Sequence, residues 1–129
     1  MKKIINTSKA PAAIGPYSQG TATAGIVFIS GQLPINPETG QFESDDIEGQ
    51  TRQSLKNLKE ILNAAGSSMD HVLKTTVFLK DMNDFAKMNQ VYNEFFKEGN
   101  YPARSAVQVA RLPKDALVEI EAIAEITAE

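Results

Sequence analysis

The spacing of apolar positions changes period along this chain, and each change marks an element. KKIIN (2–6) predicts a short strand. KAPAAIGPYSQG (9–20) carries two prolines and two glycines, so it predicts a loop of one fixed, irregular shape. TATAGIVFIS (21–30) predicts a strand pair or a bent strand, and GQLPINPETG (31–40) is rich in turn residues. From Asp45 the period lengthens. Leu55, Leu58, Leu62 and Ala65 recur at three- and four-residue steps, which predicts a helix capped by Asp45 or Asp46 and closed at Gly66. VLKTTVFL (72–79) predicts a strand. Phe85, Met88, Val91, Tyr92, Phe95 and Phe96 form a second helical face, with Asn83 or Asp84 as cap; Gly99 ends it and Pro102 prevents its resumption. Strands over 104–110 and 117–126 follow, joined by a loop containing LPKD.

The predicted order, β-β-β-α-β-α-β-β, points to an α+β sandwich: a mixed sheet with both helices on one face. In the last strand Val118, Ile120, Ala122, Ala124 and Ile126 alternate with Leu117, Glu119, Glu121, Ile123 and Glu125, and the first set suits the helix-covered core. In the preceding strand, its expected antiparallel neighbour, Ser105, Val107 and Val109 share that core, which puts Arg104, Ala106, Gln108 and Ala110 on the uncovered face with Glu119. The turn around LPKD leaves the register open. That face is either wetted, with its charges solvated, or packed against another subunit, where an arginine would be dry enough to hold an anion strongly.

Composition narrows the chemistry. The 129 residues predict one domain, 1–129, able to bury a core without disulfide or metal. There is no cysteine and only one histidine, His71, which excludes thiolate nucleophiles, cysteine-based metal sites and a His–His metal pair within one subunit. A formal charge of −3 gives no general reason to bind nucleic acid or anionic lipid. The N-terminus lacks the apolar run of about 7–15 residues that a signal peptide needs, and no segment approaches the roughly 18 apolar residues of a membrane span. A soluble, cytoplasmic protein is expected.

The run PARSAVQVARLPKDALVEIEAIA, with IGPYSQG near the N-terminus, ISGQLP after it and NQVYNEFF at 89–96, resembles the Rid (reactive intermediate deaminase) family, also called the YjgF or L-PSP endoribonuclease family. The resemblance extends from Ala10 to Ala124. It implies a chorismate-mutase-like fold, a homotrimer with sites between subunits, no cofactor and no metal. It further implies hydrolysis of 2-imino acids or their enamine tautomers, such as 2-aminoacrylate, 2-iminopropanoate and 2-iminobutanoate, to 2-keto acids and ammonia. The family's carboxylate-binding arginine falls on Arg104 and its water-positioning glutamate on Glu119. Tyr17, Ser30, Gly31 and Asn89 match other site-lining positions. Many relatives carry cysteine where this chain has Ala106; the substitution removes thiol chemistry and leaves room beside the guanidinium.

The residue types suit that reaction. Arginine's planar fork fixes the orientation of a carboxylate as well as its charge, and the electrophilic carbon of a 2-imino acid is adjacent to that carboxylate. An ionised Glu119 can accept a proton from the attacking water. Ser30 has no adjacent base that would make it a nucleophile. Two other classes remain open: a non-catalytic binder of small 2-keto carboxylates, and an endoribonuclease, for which no basic-aromatic stripe is present.

Overall fold

The computed structural model describes residues 1–127. Its strands are β1 (Lys3–Ile5), β2 (Gly20–Thr23), β3 (Ile26–Gln32), β4 (Ile35–Asn36), β5 (Gln41–Phe42), β6 (Val72–Leu79), β7 (Ala103–Gln108) and β8 (Val118–Glu125); the helices are α1 (Ile47–Ala64) and α2 (Phe85–Phe95). Six strands form one sheet in the order β1-β2-β3-β8-β6-β7, and β4 and β5 make a separate two-stranded ribbon. All pairings in the large sheet are antiparallel except β6–β7, so the sheet is mixed. Both helices pack on one face, around Leu55, Leu58, Ile61 and Leu62 of α1, Met88 and Tyr92 of α2, and Val27, Val77, Ile120 and Ala124 of the sheet. The α+β class and the one-sided helix layer are as the periodicity predicts.

Local chemistry accounts for the boundaries. The Asp46 carboxylate accepts from the Gly49 N–H at 2.7 Å, satisfying a first-turn donor of α1. Gly66, at φ +81°, follows the last turn, and the Ser67 N–H closes on the Leu62 carbonyl at 2.9 Å. Cap bonding for α2 comes one turn earlier than predicted: Asp84 makes no side-chain cap bond, whereas Asp81 accepts from the Asn83 N–H at 2.9 Å in the short 3-10 turn before the helix. Ala24 and Gly25, both at positive φ, form the tight turn of the β2–β3 hairpin.

Three buried amides tie loops to this frame. Gln19 accepts from the Thr7 N–H and donates to the Thr7 and Pro11 carbonyls, fixing the 9–20 loop. Gln50 donates to the Ser44 carbonyl and accepts from the Leu117 N–H. Asn57 donates to the Leu33 and Ile35 carbonyls.

Two expectations about the last strands are overturned. β7 and β8 are not neighbours: β7 lies at the sheet edge, parallel to β6, and β8 sits between β3 and β6. A strand–helix–strand unit, β6-α2-β7, returns the chain in parallel, as such crossovers do. The faces of β7 are also opposite to those expected. Arg104 is in register with buried Thr75 and Ala106 with buried Val77, so both turn toward the helices. Ser105 and Val107 face outward, Val107 at 42% exposure. β8 alternates as read, with Val118, Ile120, Ala122 and Ala124 buried and Glu119 on the open face.

Candidate functional site

On α2, Phe85, Asn89 and Tyr92 stand at i, i+4 and i+7 and so form one stripe. The Arg104 side chain leaves β7 and lies along it. Its guanidinium carbon is 4.7 Å from the Tyr92 ring centroid and 5.4 Å from that of Phe85, and Nη1 donates to Asn89 Oδ1 at 2.7 Å. Tyr92 is itself anchored: its hydroxyl shares a 2.7 Å hydrogen bond with Thr75 Oγ1, and both residues are buried. Burial holds the Tyr92 phenol above its usual 10.0, against the opposing effects of the Thr75 bond and the Arg104 charge, so the hydroxyl stays protonated at neutral pH.

The stripe opens onto a cleft of about 650 Å³ lined by Asn89, Tyr92, Asn93, Tyr101, Pro102 and Arg104. The Tyr101 hydroxyl donates to Asn93 Oδ1 at its rim. Among the described residues, ion pairs link Arg52 to Glu94, Lys97 to Asp70 and Arg111 to Asp115, and none engages Arg104. Asparagine, a neutral acceptor, orients the guanidinium without cancelling its charge. The cation is free to take an anion from the cleft.

Tyr17, Ser30, Gly31 and Glu119 belong to a second surface. β3 carries a bulge between Ile29 and Gln32, at Ser30–Gly31, where the ladder with β8 shifts register. A side-chain carbon at Gly31 would lie 2.8 Å from Glu119 Cδ and 2.9 Å from Oε2, so the missing side chain makes the space the carboxylate occupies. The Ser30 hydroxyl donates to the Ser18 carbonyl at 2.7 Å and its N–H to the Gln19 carbonyl at 2.9 Å, which docks the loop bearing Tyr17. Tyr17 remains 54% exposed. Burial, and then repulsion from Glu121, raise the Glu119 carboxyl above its ordinary 4.5.

Arg104 and Glu119 therefore do not share a face. Arg104 is in register with Thr75 of β6, and Glu119 with Phe78. Three residues along the strand and two strand spacings across put their Cα atoms about 14 Å apart on opposite sides of the sheet. Ala106 follows Arg104 on the helix side, packed against the core. Within one chain the expected site residues fall into two groups: Asn89, Arg104 and Ala106, and Tyr17, Ser30, Gly31 and Glu119. Sequence reasoning missed Phe85, Tyr92 and Thr75 as Arg104's supports. A polar Asn89 in the middle of an aromatic stripe was the available signal. His71 lies outside both groups, its Nδ1 2.8 Å from Ser68 Oγ.

Fold and site together define an α+β protein with a cleft walled by an arginine that has no acidic partner among the described residues, and a separate carboxylate of raised basicity. The profile of the family described as Endoribonuclease L-PSP matches residues 7–126, and the chain belongs to that family. It is 55% identical over 126 residues to the 2-iminobutanoate/2-iminopropanoate deaminase of Escherichia coli strain K12, covering 96% of this chain and 98% of that protein. It is 60% identical over 124 residues to the RutC family protein PH0854 of Pyrococcus horikoshii, covering 96% and 98% respectively. Among solved structures, that of E. coli TdcF with bound serine superposes with a TM-score of 0.90 at 52% identity, covering 97% of this chain and 99% of that one.

Proposed function

We propose that this chain, as one domain over residues 1–129, is a cytoplasmic, cofactor-independent deaminase of reactive 2-imino acids. It converts 2-iminopropanoate, 2-iminobutanoate and their enamine tautomers to the 2-keto acid and ammonia. The observation that carries the reading is the Arg104 guanidinium, held between aromatic rings and a neutral amide at the wall of a cleft, with no carboxylate partner among the described residues. The sequence identity to a 2-iminobutanoate/2-iminopropanoate deaminase supports the substrate class.

In the proposed reaction Arg104 binds the substrate carboxylate through donors that Asn89 leaves free. Water adds to the adjacent carbon of the protonated imine while the Glu119 carboxylate takes one of the water's protons, giving a neutral tetrahedral carbinolamine. Glu119 returns that proton to the amine nitrogen, and as ammonia departs the ionised carboxylate takes the hydroxyl proton, which leaves the 2-keto acid. A carboxyl raised above its ordinary value suits both steps, being a stronger base when ionised and a ready donor once protonated. Imines hydrolyse in water unaided, so positioning and one proton shuttle meet a modest demand at about 1.4 kcal/mol per tenfold in rate.

Because Arg104 and Glu119 stand on opposite faces of one sheet, the working site pairs the Arg104 cleft of one copy with Tyr17, Ser30, Gly31 and Glu119 of another. A homotrimer is the assembly the resemblance implies. The open face suits association, since it carries Phe28 at 48% and Val107 at 42% exposure beside Ile123 and Phe78.

The test generates the imine with an amino-acid oxidase or threonine dehydratase and follows its decay. Acceleration by wild type, lost by more than about a hundredfold in kcat/KM in a folded Arg104→Ala and only partly restored by Arg104→Lys, is expected from loss of a charged, bidentate contact. No acceleration over buffer would exclude these substrates and favour a binder of 2-keto acids, to be titrated directly.

A further inference from the structure

Thr75, Tyr92 and Arg104 form a closed ring of contacts. Thr75 and Arg104 are register partners on adjacent strands; the Thr75 hydroxyl holds the Tyr92 hydroxyl at 2.7 Å; and the Tyr92 ring carries the guanidinium at 4.7 Å. A buried tyrosine needs a partner for its hydroxyl in any case, but filling the core does not require its ring face to carry a cation. Phe85 supports the guanidinium at 5.4 Å. Asn89 fixes one terminal nitrogen and therefore the rotation of the planar group. Arginine side chains have several rotatable bonds, and ordering one costs binding energy unless it is ordered beforehand.

We infer that Tyr92, locked by Thr75, is a positioning residue that pre-orders the Arg104 guanidinium for a carboxylate ligand. The inference rests on Arg104 being the carboxylate clamp. It assigns Thr75 and Tyr92 a part in ligand affinity although their polar atoms are occupied with each other. The rings raise affinity by pre-ordering the cation, not by touching the reacting atoms, so disturbing them weakens binding and leaves the chemical step intact once substrate is bound.

The experiment uses the full chain, with 2-oxobutanoate as the calorimetric probe and enzymatically generated 2-iminobutanoate for kinetics. In wild type the Arg104 Nε–H proton should resonate upfield, shielded by the ring beneath it, and its NMR signal is assigned by its disappearance in Arg104→Lys. Tyr92→Leu should reduce the upfield shift to the smaller part that Phe85 supplies and raise KM and the 2-oxobutanoate Kd about tenfold, with kcat changed by less than about twofold. Tyr92→Phe should keep the upfield shift but, lacking the bond to Thr75, raise KM about threefold. Thr75→Val should raise KM about threefold, and Thr75→Ser, which keeps the hydroxyl, should restore it. If Tyr92→Leu does not fold, Thr75→Val and Phe85→Leu carry the same test with smaller shifts. An unshifted Arg104 signal in wild type, unchanged KM in these variants, or a loss confined to kcat would overturn the inference. Unaltered KM and Kd in Arg104→Ala would instead overturn the clamp itself, an outcome visible before any Tyr92 variant is made.

Discussion

Gly31→Ala tests the second surface by moving one group a known distance. The added carbon would lie 2.8 Å from Glu119 Cδ, 2.9 Å from Oε2 and 3.0 Å from Cγ. Comfortable carbon–carbon contact begins near 3.5 Å, so the carboxylate must retreat by about 0.7 Å or more. A misplacement of about 1 Å in a reacting constellation costs on the order of a hundredfold, so kcat should fall between about tenfold and a hundredfold. KM should change little, because Arg104, the proposed carboxylate clamp, lies on the other face of the sheet.

Stability should barely respond. Gly31 is not at positive φ, so alanine fits its backbone and restricts the unfolded chain, a gain of about 0.4–1 kcal/mol. Turning Glu119 off its rotamer costs about 0.5–1.5 kcal/mol, and the two nearly cancel. Steady-state kinetics on the generated imine, with a thermal melt beside them, measure both. In a Glu119→Ala background the clash is absent, so adding Gly31→Ala should cost nothing further. Wild-type kcat in folded Gly31→Ala, or the same loss whether or not Glu119 is present, would refute the reasoning.

Two pH-dependent outcomes follow from the carboxylates. Since burial and then Glu121 raise Glu119, the acidic limb of the kcat–pH profile should lie above the ordinary 4.5 and move down in Glu121→Gln. Native Glu119 keeps its proton where the unfolded chain has lost it, so stability falls as pH rises from 4.5 through the raised value; inactive Glu119→Gln should melt higher than wild type at pH 7, and the difference should vanish in acid. Asp46 has the opposite sign: the Gly49 N–H bond, then the Ser44 hydroxyl, hold it below 3.8, so its contribution is full above 3.8 and lost as pH falls through the native value. Asp46→Ala should therefore lower the melting temperature at neutral pH, and its difference from wild type should shrink as pH falls below 3.8, read by calorimetry.

Most of the helical layer was legible because its signals are local. Leu55, Leu58 and Leu62 repeat, Asp46 supplies a cap oxygen and Gly66 accepts positive φ, and none of these depends on distant sequence. β6 runs over the residues its β-branched content predicts. β4 and β5, two residues each, are too short to carry a period. β7 failed for a different reason. Arg104, Ala106 and Gln108 alternate with Ser105 and Val107, and neither set is apolar enough to select a face; buried Thr75 and Val77 of the parallel neighbour select it instead. The strand–helix–strand order of residues 72–108 held the correction, since a helix between two strands favours parallel return over a hairpin with the next strand. Gln19, Gln50 and Asn57 gave no signal, because a buried amide has the same letter as an exposed one.

The misread face bears directly on how such a site can work. Had Arg104 and Glu119 projected side by side from one sheet face, guanidinium and carboxylate would have paired, and each would have lost what the reaction asks of it. A paired arginine has its fork occupied, and a carboxylate beside a cation loses basicity. Placing them on opposite faces leaves Arg104 with the neutral Asn89 and two aromatic rings. Glu119 is left with burial and Glu121, both of which raise its proton affinity. In the proposed site the two charges would meet across a boundary between copies, with the substrate between them to separate clamp from base. Under the proposed function, the sheet would keep binding and proton transfer apart within a chain, and assembly would bring them together.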